Sequence, residues 1–61
     1  MGERLLTIAE AADVTRVSKG WWRERVLQRR VRFIKLGRRV LIPQSTVESL
    51  IRNGVVEPRE D

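Results

Sequence analysis

Ten basic side chains stand between positions 16 and 39, and one carboxylate, Glu24, stands among them. They are Arg16, Lys19, Arg23, Arg25, Arg29, Arg30, Arg32, Lys35, Arg38 and Arg39. The remaining positions hold three basic and seven acidic residues, so the positive charge is confined to the middle. Cations massed this way suit a polyanion, because each can neutralise a phosphate and release its counterion. Lys19, Arg23 and Glu24 recur at the spacing that lines one face of a helix. Gly37-Arg38-Arg39 sets two guanidiniums beside a glycine between apolar runs, which reads as a turn with cations at its tip. Charge runs also decorate solvated surfaces, so the elements that position these groups decide between the two.

Length and composition narrow the classes. Sixty-one residues allow one domain, 1–61, with a small core expected over 5–54 and an acidic tail over 55–61. There is no cysteine for a disulfide framework, and with no histidine either, zinc lacks its usual ligands. The expectation is no cofactor and no catalysis: a chain this short hardly encloses a pocket, and it offers no His, Cys or Tyr. It holds no apolar run near a membrane span and no signal-peptide core, which points to a cytoplasmic, nucleoid-associated protein with no membrane partner. Net charge is +5.

Two helices come first. Residues 1–4 read as polar and frayed. Thr7-Ile8-Ala9-Glu10 has capping-box form, with Leu6 as the staple residue packing on Ala11. The helix should carry Ile8, Ala11 and Ala12 on one face, the alanines admitting a close neighbour, and stop near Asp13 or Val14. Val17-Ser18 restarts the pattern, with Ser18 as N-cap and Val17 stapled against Trp22. Trp22 and Val26 face the first helix, Trp21 and Arg25 flank them, and Lys19, Gly20, Arg23, Glu24 and Leu27 point outward. Two helices joined by so short a turn make a helix-turn-helix, the second placed for a major groove.

From Gln28 the periodicity changes. Arg29-Arg30 is a polar break, 31–36 reads as a strand, Gly37-Arg38-Arg39 as the turn and 40–42 as the return. A two-residue loop would put Arg39 on the face of Ile34, Leu36 and Leu41. A three-residue loop pairs Leu36 with Val40 and Ile34 with Ile42 and makes one face wholly apolar. The second is favoured, although such loops more often place glycine last; it leaves Phe33 and Leu41 partly outside the core. A last helix runs through Arg52, starting either with Pro43 as first residue or with a Ser45-Thr46-Val47-Glu48 capping box. Val47, Leu50 and Ile51 form its buried stripe, Gly54 stops it in a left-handed conformation, and Val55-Val56 fold back on its end. The fold class is mainly α with a small β-hairpin, a winged helix-turn-helix.

The Leu5-Leu6-Thr7 entry, the Ala11-Ala12 pair, Val17-Ser18 and Lys35-Leu36-Gly37-Arg38-Arg39-Val40-Leu41-Ile42-Pro43 together resemble the excisionase family. These are small winged-helix proteins with the fold of the MerR-type DNA-binding domain. The likeness runs without gaps over about 5–52. It implies that the second helix enters the major groove and the wing tip approaches the adjacent minor groove. It also implies a recombination directionality factor that promotes excision by an integrase of tyrosine or serine type. Here Arg16 replaces a common turn glycine, and the usual proline near the wing's start is missing at Arg32. Trp21 stands in place of a small hydroxyl residue and Arg25 in place of an apolar one, which suggests that the Arg25 guanidinium stacks on the Trp21 ring.

The expected contacts follow. Ser18, Lys19, Gly20, Trp21, Arg23 and Glu24 serve the major groove, and Gly37, Arg38 and Arg39 the minor groove. Arg16, Arg25, Arg29, Arg30, Arg32 and Lys35 serve phosphates. Only seven residues follow Gly54, too few for a dimerising coiled coil. The expectation is therefore a monomer that gains affinity by binding attachment-site repeats beside other copies of itself. The alternatives are a small MerR-like transcriptional regulator and, from another class, a basic adaptor for an acidic protein or RNA.

Overall fold

The computed structural model describes residues 3–56; Met1, Gly2 and the acidic stretch 57–61 lie outside the described residues. The elements run β1 (Leu5–Thr7), α1 (Ile8–Thr15), α2 (Lys19–Leu27), β2 (Ile34–Leu36), β3 (Arg39–Pro43) and α3 (Gln44–Asn53). The strands form one antiparallel sheet in the order β1-β3-β2. The fold is a winged helix-turn-helix, with a third strand that the hairpin reading lacked.

Thr7 begins α1 as its motif requires. Its Oγ1 accepts from the Glu10 N–H at 3.1 Å, and its own N–H donates to Glu10 Oε1 at 2.9 Å. The helix then runs past the expected stop to Thr15, whose hydroxyl is in use. Thr15 Oγ1 donates to the Ala11 carbonyl at 2.6 Å and accepts from the Trp22 indole N–H at 3.0 Å. This relay satisfies the one polar atom of a wholly buried tryptophan side chain. Ala11 and Ala12 are buried where α1 meets α2, small enough to let the helices close on each other. With Leu6, Trp22, Ile42 and Val47 they make the core, and Val26, Val31, Phe33 and Leu50 pack around it.

The wing corrects the favoured register. Ile34 pairs with Leu41, Lys35 with Val40 and Leu36 with Arg39, so the loop is the two residues Gly37-Arg38. Of these, only Gly37 has positive φ, at 62°. Glycine first in a two-residue loop is the signature of the II′ turn, whose twist matches that of the strands. That local demand outweighs a uniform apolar face: Ile34, Leu36, Arg39 and Leu41 share the outer side, and Leu36 is 56% exposed. The first strand is also shorter than expected, because residues 31–33 are not paired. Phe33 instead packs against the core.

The N-terminal segment is not frayed at Glu3 and Arg4. The Arg4 carbonyl accepts from the Gln44 N–H at 2.8 Å, and Glu3 Oε1 from the Ser45 N–H at 2.9 Å. Two free donors of α3 are thereby satisfied from the far end of the chain. Pro43 is the N-cap rather than the first helical residue, and no side-chain cap from Pro43 exists; the Ser45 capping box does not form. Thr46, buried, donates to the Arg32 carbonyl at 3.1 Å and ties α3 to the segment before the wing. Val47 is buried and Leu50 half-buried, but Ile51 is 52% exposed, which narrows the expected stripe. Gly54 has φ −91°, not left-handed; glycine fits there because a Cβ would lie 3.2 Å from the Leu50 carbonyl oxygen. Val55 and Val56 are exposed and do not cover the helix end.

Candidate nucleic-acid interface

The second helix is positioned at both ends. Ser18 Oγ accepts from the Trp21 N–H at 3.1 Å, fixing the first turn. At the other end Gln28 is the cap, the Arg29 N–H donates to the Val26 carbonyl at 3.0 Å and the Arg30 N–H to the Arg25 carbonyl at 2.9 Å. Those two bonds form a Schellman motif, with Arg29 in the left-handed position at φ 57°. Trp22 is buried against α1, and this fixes the rotation of the helix. Lys19, Gly20, Arg23, Glu24 and Leu27 are consequently exposed, as their spacing requires.

On the flank, the expected stacking is present. The Arg25 guanidinium carbon lies 4.5 Å from the centre of the Trp21 ring, well within cation–π range. Trp21 in turn meets Trp22 edge to face, with ring centres 5.3 Å apart at 78°. Both Trp21 and Arg25 are half-buried. The pair thus forms a side wall of α2, with the guanidinium spread over a ring that covers part of the core.

The other cations fall in three groups. Arg16 closes α1 in a left-handed conformation, φ 62°, so the turn keeps the shape that glycine would favour. With Ser18, Lys19 and Asp13 it lines an open cleft of about 650 Å³ between α1 and the start of α2. Arg38 and Arg39 are exposed at the wing, beside Gly37, and Lys35 is exposed on β2. Arg29, Arg30 and Arg32 are exposed on the segment that joins α2 to the wing. The Glu3 carboxyl is held below its ordinary pKa by the Ser45 hydroxyl and N–H, and also by the charge of Arg32.

Two residues of the outward face carried no assignment from sequence. Leu27 is 82% exposed beside the cations, and the Gln28 amide donates to Glu24 Oε1 at 3.4 Å, linking those side chains along the helix. The signal for Leu27 was its position one turn beyond Arg23 on the polar face. Acidic side chains Glu10, Asp13 and Glu48 are exposed on α1 and α3. No helix among the described residues is long and apolar enough to cross a membrane.

No curated protein and no solved structure matches the chain. Residues 5–55, from β1 through the end of α3, match the family described as "Helix-turn-helix domain". A capped and rotationally fixed second helix, with cations along its outer face and a basic wing beyond it, agrees with that match. The chain belongs to the helix-turn-helix domain family and binds double-stranded DNA.

Proposed function

We propose that this protein is an excisionase: it binds tandem attachment-site repeats cooperatively, bends the duplex and directs an integrase toward excision. The observation that carries the reading is the segregation of charge on a winged-helix frame. Most exposed cations of the described residues lie along α2, at its two ends and at the wing, with Glu24 the one carboxylate among them. Glu10, Asp13 and Glu48 are exposed on α1 and α3, where Arg52 is the exposed cation. The resemblance to excisionases supplies the biological role.

In this reading α2 enters the major groove, where Lys19, Arg23 and Glu24 meet base edges and Ser18, Gly20 and Trp21 lie close to the DNA. Leu27 adds an apolar contact of the kind that thymine methyl groups accept. Gly37, Arg38 and Arg39 enter the neighbouring minor groove, whose negative potential is highest where A·T-rich sequence narrows it. Arg16, Arg25, Arg29, Arg30, Arg32 and Lys35 meet phosphates. One such domain reads few base pairs, so specificity against many competing sites comes from several copies side by side. A head-to-tail contact that does not close propagates along direct repeats.

A titration over one, two and three repeats tests the assembly, with sedimentation of the free protein. A monomer without DNA, steeper binding with each added repeat and a bend that grows with copy number are expected. A stable free dimer, or independent binding to each repeat, would transfer the proposal to a small MerR-like transcriptional regulator. Arg23→Ala tests the helix face: if Arg23 reads guanine, affinity falls by roughly 1–3 kcal/mol with relaxed preference at one base. Unchanged affinity in the folded variant would remove this face from the interface.

A further inference from the structure

Among the described residues, the two left-handed backbone sites occupied by residues other than glycine both hold arginine, and both adjoin α2. Arg16 (φ 62°) sits just before the Ser18 cap, and Arg29 (φ 57°) directly follows the Gln28 cap. A left-handed residue with a Cβ crowds its own carbonyl, so glycine is the residue such positions favour, with asparagine or aspartate next. Arginine brings no short polar group to relieve that strain. At Arg29 the conformation is imposed by the Schellman bonds of the backbone, not by anything the side chain does. Both side chains are exposed. Each arginine therefore weakens the fold where it stands and presents its charge to solvent.

The placement says what the charge is for. With α2 lying in the major groove, exposed cations just beyond its two ends stand beside the DNA backbone rather than the base edges. Before α2, Arg16 shares its cleft with Lys19, Ser18 and Asp13. We propose that Arg16 and Arg29 are a pair of phosphate clamps bracing the two ends of α2, present at glycine-favouring positions for their charge and to the detriment of stability. This rests on the DNA-binding reading of α2 and assigns to these two residues the sequence-independent share of affinity.

The experiment compares three proteins on one duplex: the unaltered chain, Arg16→Gly/Arg29→Gly and Arg16→Lys/Arg29→Lys. Thermal melting and a salt titration of binding are recorded for each, on specific and scrambled DNA. The glycine pair is expected to melt roughly 5–10 °C higher. It should bind both DNAs roughly 10- to 50-fold more weakly, with a salt slope flatter by about two. The lysine pair keeps the strained backbone and the charge, so it should recover most of the slope without the gain in melting temperature. Glycine variants with unchanged slope and affinity would overturn the clamp. A glycine pair that melts lower would overturn it as well, because the arginines would then be serving the fold. If the unaltered chain binds neither DNA, the DNA reading of α2 itself falls, which is a distinct result.

Discussion

Two turns of this molecule hold a residue at the same φ of 62°, and they fill that position differently. In the wing the residue is Gly37, and the charge is carried by its neighbours Arg38 and Arg39. Between α1 and α2 the residue is Arg16, which supplies both the backbone shape and the charge. The neighbours explain the difference. Thr15 bonds the Trp22 indole and Ser18 caps α2, so the helical turn has little room to move its cation elsewhere. The wing faces no such demand, since Arg38 and Arg39 have no core duty. Where the jobs can be divided, glycine takes the backbone one; where they cannot, the charged residue bears the strain.

The comparison breaks most sharply at Thr15. Thr15→Val keeps the shape but leaves the buried indole N–H of Trp22 without its partner, an expected loss of about 2 kcal/mol in denaturant unfolding. If stability held, the helical turn would have had a position to spare and the contrast with the wing would collapse. Next comes Gly37→Ala. A Cβ there meets nothing within 4 Å, so any loss reports backbone conformation alone, and about 1–2 kcal/mol is expected. A neutral result would mean that the left-handed site costs little, and the strain assigned to Arg16 would shrink with it.

Gly20→Ala should act in the opposite direction. Gly20 is helical, and its added Cβ would lie an ordinary 3.8 Å from Ser18 Oγ. A gain of roughly 0.5–1 kcal/mol is expected from helix propensity. Weaker DNA binding in the same variant would show that glycine is kept in α2 for close approach to the duplex.

The smallest effect extends the comparison to the helix starts. Thr7 and Ser18 cap their own helices, whereas α3 borrows Glu3 from 42 positions away. The pKa of Glu3 is lowered by hydrogen bonds from the Ser45 side chain and backbone, so its contribution is present above the ordinary carboxylate range. It is lost as pH falls through the depressed value. Glu3→Gln should therefore melt slightly below the unaltered chain at neutral pH, with the gap closing in acid. A gap that did not change with pH would show that the carboxylate charge plays no part in this cap.

The same contrast between near and far explains how much could be read from the sequence. The two N-terminal caps, the buried Trp22, the outward face of α2 and the stacking of Arg25 on Trp21 all depend on residues a few positions apart, and all were legible. Strand β1 and the Glu3 cap depend on partners in β3 and α3, and no local signal announces them. The wing register turns on a different balance, in which the turn chemistry of Gly37 outweighs a uniform apolar face. The left-handed Arg29 was hidden because Arg29-Arg30 reads only as a polar break. Around α2, the outward face and the glycine position held by Arg16 were legible, and the left-handed Arg29 was not.

The borrowed cap also has a bearing on how the chain is made. Strand β1 leaves the ribosome well before its partner β3 and the helix that Glu3 caps. At synthesis rates of roughly 5–20 residues per second, the N-terminal strand waits seconds for its pairing. The helix-turn-helix emerges early, but the layer beneath it is incomplete until β3 and α3 arrive, leaving Leu6 without Ile42 and Val47. Closure of Glu3 and β1 onto α3 and β3 is a late, non-local step of the kind that slows folding. A chain that ends before Ser45 thus holds its DNA-reading helix and all three strands but lacks α3, the helix that Glu3 caps.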